Sequence, residues 1–111
     1  MATISECRAA VDRLADQLAR NADARGKVDL DRSLSLEITD LGTGFHGRLT
    51  DGRLVGITDG TDSNAKVRLS ARSDDLIALV DGALPFAQAW ASGQVSVKAS
   101  VFDLMKLRKL L

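Results

Sequence analysis

AKVRLSARSDDLIALVDG (Ala65–Gly82), ALPFAQAWASG (Ala83–Gly93) and QVSVKASVFDLMKLRKLL (Gln94–Leu111) run together as one continuous stretch, and its reading decides the fold. Ala65 to Ala71 alternates. Ala65, Val67 and Leu69 fall on one face, and Lys66, Arg68 and Ser70 on the other, which is the period of a strand. Ser73 is placed to cap the following helix, with Asp74 and Asp75 complementing the dipole in its first turn. Leu76, Ile77, Leu79 and Val80 give that helix a wide apolar face, and Gly82 stops it with a left-handed residue. Pro85 suits the first position of a second short helix, where its missing N–H has no partner to lose. That helix presents Phe86, Ala89 and Trp90 and stops at Gly93. Gln94 to Ser100 reads as a strand with Val95, Val97 and Ala99 inward. Val101 to Leu111 reads as a closing helix, with Leu104, Leu107 and Leu111 on one face and Lys106, Arg108 and Lys109 largely outside it.

Upstream, residues 3–24 form an amphipathic helix. Ile4, Cys7, Val11, Leu14 and Leu18 recur at spacings of three and four, Thr3 or Ser5 stands at the capping position, and Gly26 follows the end. Such a stripe packs on a sheet, lies on a membrane surface or meets a partner helix. Cys7 lies on the stripe, which marks it as a buried thiol rather than a nucleophile. Val28 to Thr39 alternates strictly, with Val28, Leu30, Leu34, Leu36 and Ile38 opposite a polar face, so the sheet is expected to face solvent on one side. Arg32 interrupts the apolar face and marks a strand start, a bulge or a stem lying along apolar surface. Residues 40–44 (DLGTG) read as a turn and Phe45 to Thr50 as a strand. Asp51-Gly52 is a two-residue hairpin turn, and Arg53 to Thr58 is the return strand, with either Leu54 or Val55 and Ile57 buried. A polar loop, residues 59–64, completes the chain order. The expected fold is α+β: one five-stranded, mostly antiparallel sheet with helices packed on one face. The first four strands are expected to pair through short connections, and the fifth follows a helical crossover.

The bulk numbers agree with a single domain over residues 1–111, since 45% of the residues are hydrophobic and 27% charged. Fifteen basic residues balance fifteen acidic ones, which argues against a nucleic-acid binder. The balance is uneven: residues 1–64 carry eight basic and eleven acidic groups (net −3), and residues 65–111 carry seven and four (net +3). One cysteine excludes an intrachain disulfide. No apolar run is long enough to span a membrane, and the N-terminus does not read as a signal peptide. The C-terminal RKLL is no clear peroxisomal address. A cytoplasmic setting is expected by elimination.

Catalytic chemistry is hard to find. His46 is the only histidine, it lacks a marked partner, and its alternation with Phe45 and Gly47 points it outward, as a solvated or structural residue rather than a general base. One His and one Cys do not make a zinc site, the glycines around His46 precede no helix, and the aspartates are scattered over turns and polar strand faces. No catalytic residue, metal or cofactor is expected, and no enzymatic activity.

From Ala65 onward the chain resembles the sterol carrier protein-2 family of small lipid-binding domains. The resemblance rests on DLIALVDG (Asp75–Gly82), PFAQAWASG (Pro85–Gly93), the strand Gln94–Lys98 and the leucine-rich closing helix from Leu104 to Leu111. The upstream helix and four strands agree with it in order. The chain departs from the pattern at Ala99-Ser100, where the family has Gly-Asp, at Leu84 before the proline, and at Gln94 and Ser96 in place of basic residues. The resemblance implies an apolar tunnel between sheet and helices, which binds or transfers a sterol, fatty acid or fatty acyl-CoA without covalent chemistry. The closing helix serves as its gate. It assigns the lipid contacts to Ile77, Val80, Phe86, Trp90, Val95, Val97, Leu104 and Leu107. Lys106, Arg108 and Lys109 would meet headgroups during transient contact with an anionic membrane surface. Each apolar position is equally suited to plain core, and the three cations to a solvated helix face. The second reading is an accessory or protein-interaction module of a lipid or quinone pathway, its protein partner unknown, that keeps the fold without a working tunnel.

Overall fold

The computed structural model describes residues 2–25 and 31–108, with side chains at 2–21 and 31–105. In chain order the elements are α1 (Ile4–Arg25), β1 (Asp31–Ile38), β2 (Thr43–Thr50), β3 (Arg53–Asp59), β4 (Val67–Ala71), α2 (Ser73–Asp81), α3 (Phe86–Ser92), β5 (Val95–Lys98) and α4 (Val101–Arg108). The strands form one five-stranded sheet in the order β3-β2-β1-β4-β5. All neighbours are antiparallel except β1 and β4. This is the expected α+β architecture. Residues 26–30, the start of the expected first strand, and 109–111, the end of the expected last helix, lie outside the described residues.

The expected short pairing of the first four strands is corrected. The β1–β2–β3 meander ends at one edge, and β4 crosses back to lie parallel to β1, pairing Leu34 with Val67 and Ile38 with Ala71. The crossover, residues 60–66, runs over the polar face of the sheet. The Asp62 N–H donates to Ser35 Oγ at 2.9 Å and the Lys66 N–H to Ser33 Oγ at 3.0 Å, and the Gly60 N–H donates to the carbonyl of Gly44 at 2.8 Å. Ser35 is therefore buried rather than solvated. Gly44, expected in a turn, instead lies in β2 beneath this loop. A Cβ there would stand 1.9 Å from the Leu36 carbonyl oxygen and 2.8 Å from Thr61 Cγ2, so only glycine fits.

The return strand β3 buries residues from both of its alternating faces, for a local reason. The register between β2 and β3 shifts between His46 and Arg48, and Gly56, with φ +65°, supplies the extra residue of a bulge. Alternation is thereby reset, and Leu54 and Ile57 both pack on the core while Val55 is exposed. The Asp51-Gly52 hairpin has both residues at positive φ, 53° and 79°, as its turn type requires.

Helix ends follow the sequence with two corrections. Thr3 Oγ accepts from the Glu6 N–H while the Glu6 carboxylate accepts from the Thr3 N–H, both at 3.1 Å, a reciprocal capping box at the start of α1. Gly82 and Gly93 close α2 and α3 with φ of 81° and 82°. Ser73, however, is not the cap of α2. Arg72 holds that position, and Ser73 is the first helical residue, fully buried. Its hydroxyl donates to Asp40 at 2.6 Å and accepts from the Ala2 N–H at 3.1 Å, so it ties the chain's start to the loop after β1. Pro85 likewise stands one place earlier than expected, as the extended residue before α3. Its fixed φ of −62° serves the approach to the helix as well as it would serve the first turn.

Candidate functional site: an apolar cavity between sheet and helices

The helices bury two apolar clusters on one face of the sheet. The larger joins Cys7, Ala10 and Val11 of α1 to Leu34, Leu36, Ile38, Phe45, Leu49, Leu54 and Val67 of the sheet and to Leu76 and Val80 of α2. The smaller joins Ala71, Ala89 and Val95, with Leu79, Leu84, Phe86 and Val97 around them. A cavity of about 270 Å³ lies against both clusters. Its floor is the sheet, through Leu34, Leu36, Phe45, Leu49, Leu54, Val67, Leu69, Val95 and Val97. Its walls are Val11, Leu14 and Leu18 of α1, Leu76, Leu79 and Val80 of α2, Phe86 and Trp90 of α3, and Leu104 of α4. Its polar members are Gln17, Asn21 and His46, and no charged residue lines it among the described residues. The space lies near the lower end of the roughly 300–1,000 Å³ typical of small-ligand sites.

Six of the eight apolar positions named from sequence border this space: Val80, Phe86, Trp90, Val95, Val97 and Leu104. Ile77 does not. It is half-buried against the larger cluster, because successive turns of α2 aim Leu76, Leu79 and Val80 at the cavity. The side chains of Leu107, Lys106 and Arg108, and Lys109 altogether, lie outside the described residues. The floor residues on β1 and β2 and the α1 wall carry only alternation or an apolar stripe in the sequence, and neither distinguishes core from lining. Phe86 and Trp90 tilt at 59° with ring centroids 6.0 Å apart, and Trp90 is 38% exposed. It therefore stands at the rim rather than the floor.

α4 closes one side through a single turn. The Ser100 hydroxyl accepts from the Asp103 N–H at 3.1 Å, a side-chain cap at the start of α4. Leu104 points to the cavity. Asp103 is buried, and its carboxylate receives the Arg32 Nε–H at 3.2 Å. Arg32 thus reaches from β1 to α4, which explains its interruption of the apolar face. Asp103 Oδ1 also lies 3.2 Å from Arg32 Nε, and makes no hydrogen bond among the described residues. The opposite side of α4 is apolar and open: Val101, Phe102 and Met105 are 71%, 78% and 61% exposed.

The titratable groups nearby are structural. Burial, then the charge of Asp40, pushes the Cys7 thiol up, so it remains a protonated, unreactive group. The Ser73 hydroxyl holds Asp40 below the usual carboxylate range. Arg48 does the same for Asp31 from the polar face. His46, read as outward, is half-buried. Its Nδ1 lies 2.8 Å from the Gly60 carbonyl, which can only accept, so Nδ1 carries the proton and ties the ring to the crossover loop. Among the described residues no group of three His, Cys, Asp or Glu side chains could hold a metal ion. No helix there is long and apolar enough to cross a membrane.

A sheet covered on one face by helices around an apolar cavity defines the class: the fold is that of the sterol carrier protein 2-like proteins. Palmitated sterol carrier protein 2-like 2 from Aedes aegypti superimposes with a TM-score of 0.71 at 15% identity, covering 98% of this chain and 94% of that one. The chain belongs to the alkyl sulfatase C-terminal family, whose model matches residues 7–111. The same fold occurs within the stereoselective inverting sec-alkylsulfatase Pisa1 from Pseudomonas sp., at 22% identity and a TM-score of 0.56 over 73% of this chain. A double mutant of that enzyme matches at 23% identity and a TM-score of 0.66 over 91% of this chain. The chain spans only 13% and 15% of the length of these two enzyme structures. No curated protein sequence matches it. The sterol carrier resemblance thus holds as a likeness of fold, and the family is that of the alkyl sulfatase C-terminal segment.

Proposed function

We propose that this chain is a non-catalytic binding domain that holds the alkyl chain of a lipid in the cavity. The observation that carries the reading is the cavity itself, of about 270 Å³ and lined almost wholly by aliphatic and aromatic side chains. Burial contributes about 0.8 kcal/mol per CH₂. A ten- to twelve-carbon chain gains roughly 8–10 kcal/mol, less about 4 kcal/mol or more for lost freedom, which leaves a Kd on the order of tens of micromolar to millimolar. The modest volume suits one slim chain, a fatty acid or fatty acyl group, better than a rigid sterol. The exposed Val101, Phe102 and Met105 of α4 would meet the lipid surface from which the ligand is collected, with Lys106, Arg108 and Lys109 on anionic headgroups. A cytoplasmic setting belongs to the same reading.

A different accessory reading, one in which the cavity works, is favoured by membership of the alkyl sulfatase C-terminal family. In it the same cavity receives the alkyl tail of a sulfate ester for a catalytic unit elsewhere. Both readings share one test. Leu69 and Val97 are cross-strand partners that both line the cavity, so Leu69→Phe with Val97→Phe narrows it from the floor. Calorimetric titration with decanoate and decyl sulfate should show binding to the parent and a loss of at least tenfold in the double variant, with the fold retained. Undiminished affinity in the folded variant would exclude the cavity as the binding site.

A further inference from the structure

Resting on the cavity reading above, we infer that the ligand enters tail-first and that its polar head is held at the rim by the amides of Gln17 and Asn21 on α1. Three observations lead there. First, no charged side chain lines the cavity among the described residues. An ionised head drawn inside would lose its hydration with no cation to replace it, which is prohibitive. Second, the polar lining is not scattered. Gln17 and Asn21 are four residues apart on α1 and share one face. The third polar member, His46, spends its Nδ1–H on the Gly60 carbonyl. Third, Gln17, Asn21 and Trp90 are the exposed members of the lining, whereas the floor residues Leu36 and Phe45 are buried. The two amides therefore stand at a solvent-facing margin of the cavity.

The hydrogen-bond inventory narrows the chemistry of the head. Gln17 Nε2 already donates to the Val80 carbonyl at 3.1 Å, which fixes the amide at the rim and leaves one N–H and the carbonyl oxygen free. The Asn21 amide brings two further donors. Together the two amides present three N–H donors and two carbonyl oxygens, so the rim can hold a head that accepts hydrogen bonds: a carboxylate, a sulfate or an alcohol. Ligand class follows as single-chain amphiphiles with a compact oxygen-bearing head.

Head and tail are separated by variants at the amides and by a ligand with no head. Gln17→Leu and Asn21→Leu should each weaken decanoate and decyl sulfate about three- to tenfold, the worth of one hydrogen bond, and leave the affinity for decane unchanged. Thermal stability should be kept in Asn21→Leu and fall by a few degrees at most in Gln17→Leu, which also loses its bond to the Val80 carbonyl. Affinity for decanoate and decyl sulfate unchanged in both variants, or an equal loss for decane, would overturn the orientation while leaving the cavity reading intact. If none of the three ligands binds the parent, the cavity reading falls and this inference falls with it.

Discussion

Arg32 and Asp103 offer the sharpest perturbation. The pair bridges β1 and α4, and its two ends differ in environment: the Asp103 side chain is 6% exposed and that of Arg32 41%. Breaking a fully buried pair by removing one partner costs about 3–5 kcal/mol, and an exposed pair is worth at most about 1 kcal/mol. Arg32→Met keeps the stem and removes the cation, stranding a buried carboxylate. An intermediate cost of about 2 kcal/mol follows from the half-exposed arginine. For a domain of this size that is a fall in Tm on the order of 10 °C. The asymmetry is more diagnostic than the size. Asp103→Leu added to Arg32→Met removes the stranded charge, so the double variant should recover most of the loss. Thermal denaturation of the four proteins of the cycle gives the coupling, and hydrogen exchange of the α4 amides shows whether the loss is local to that helix. A single variant within 0.5 kcal/mol of the parent, or a double variant worse than Arg32→Met alone, would refute the argument that this pair holds α4 down.

Gly44→Ala should cost more than about 2 kcal/mol in urea denaturation, since its Cβ would meet backbone at 1.9 Å and backbone yields little. Asp40 predicts an acid limb. Its pKa is lowered in the folded state by the Ser73 hydroxyl, so its contribution is present above the unfolded value of about 3.9 and is lost as pH falls through the lower folded value. Ser73→Ala should flatten the pH dependence of stability below about pH 4, and an unchanged slope would contradict the linkage. Trp90→Ala should weaken alkyl-chain binding more than it lowers Tm, because the ring is 38% exposed at the rim; equal losses would make Trp90 core.

Much of this fold is legible locally. Gly82 and Gly93 stop their helices where left-handed residues are needed, Asp51-Gly52 makes its hairpin, and period-two alternation places the apolar floor. What escapes is non-local. Nothing within β1 or β4 announces that they run side by side in parallel. The serines at 33 and 35 look like a solvated face, yet they receive the N–H groups of the crossover. Gly56 resets the alternation of β3, so either reading of that strand taken alone is half right. The site shows the same division. Apolar positions on α2, α3 and β5 border the cavity, because a face that packs on a sheet also faces whatever space the sheet encloses. Ile77 misses it because a helix turns 100° per residue and its neighbours take the inward positions. Asp103 reads as an ordinary first-turn acid of α4, and only the fold reveals that it turns away from its cap toward Arg32. The exposure of Val101, Phe102 and Met105 is likewise a tertiary fact: Asp103 and Leu104 claim the inward side, and that rotates the apolar remainder outward.

The central claim is that the cavity takes one alkyl chain, and native mass spectrometry of the purified protein, joined to titration of Trp90 emission, tests it most directly. One ligand per chain is expected. Trp90 emission is also expected to respond to alkyl-chain amphiphiles, with affinity rising about three- to fourfold per added methylene until the chain outgrows the cavity of about 270 Å³. If no lipid co-purifies, and neither fatty acids, acyl-CoAs, sterols nor alkyl sulfates perturb Trp90, the cavity is only a packing gap and the binding account is wrong.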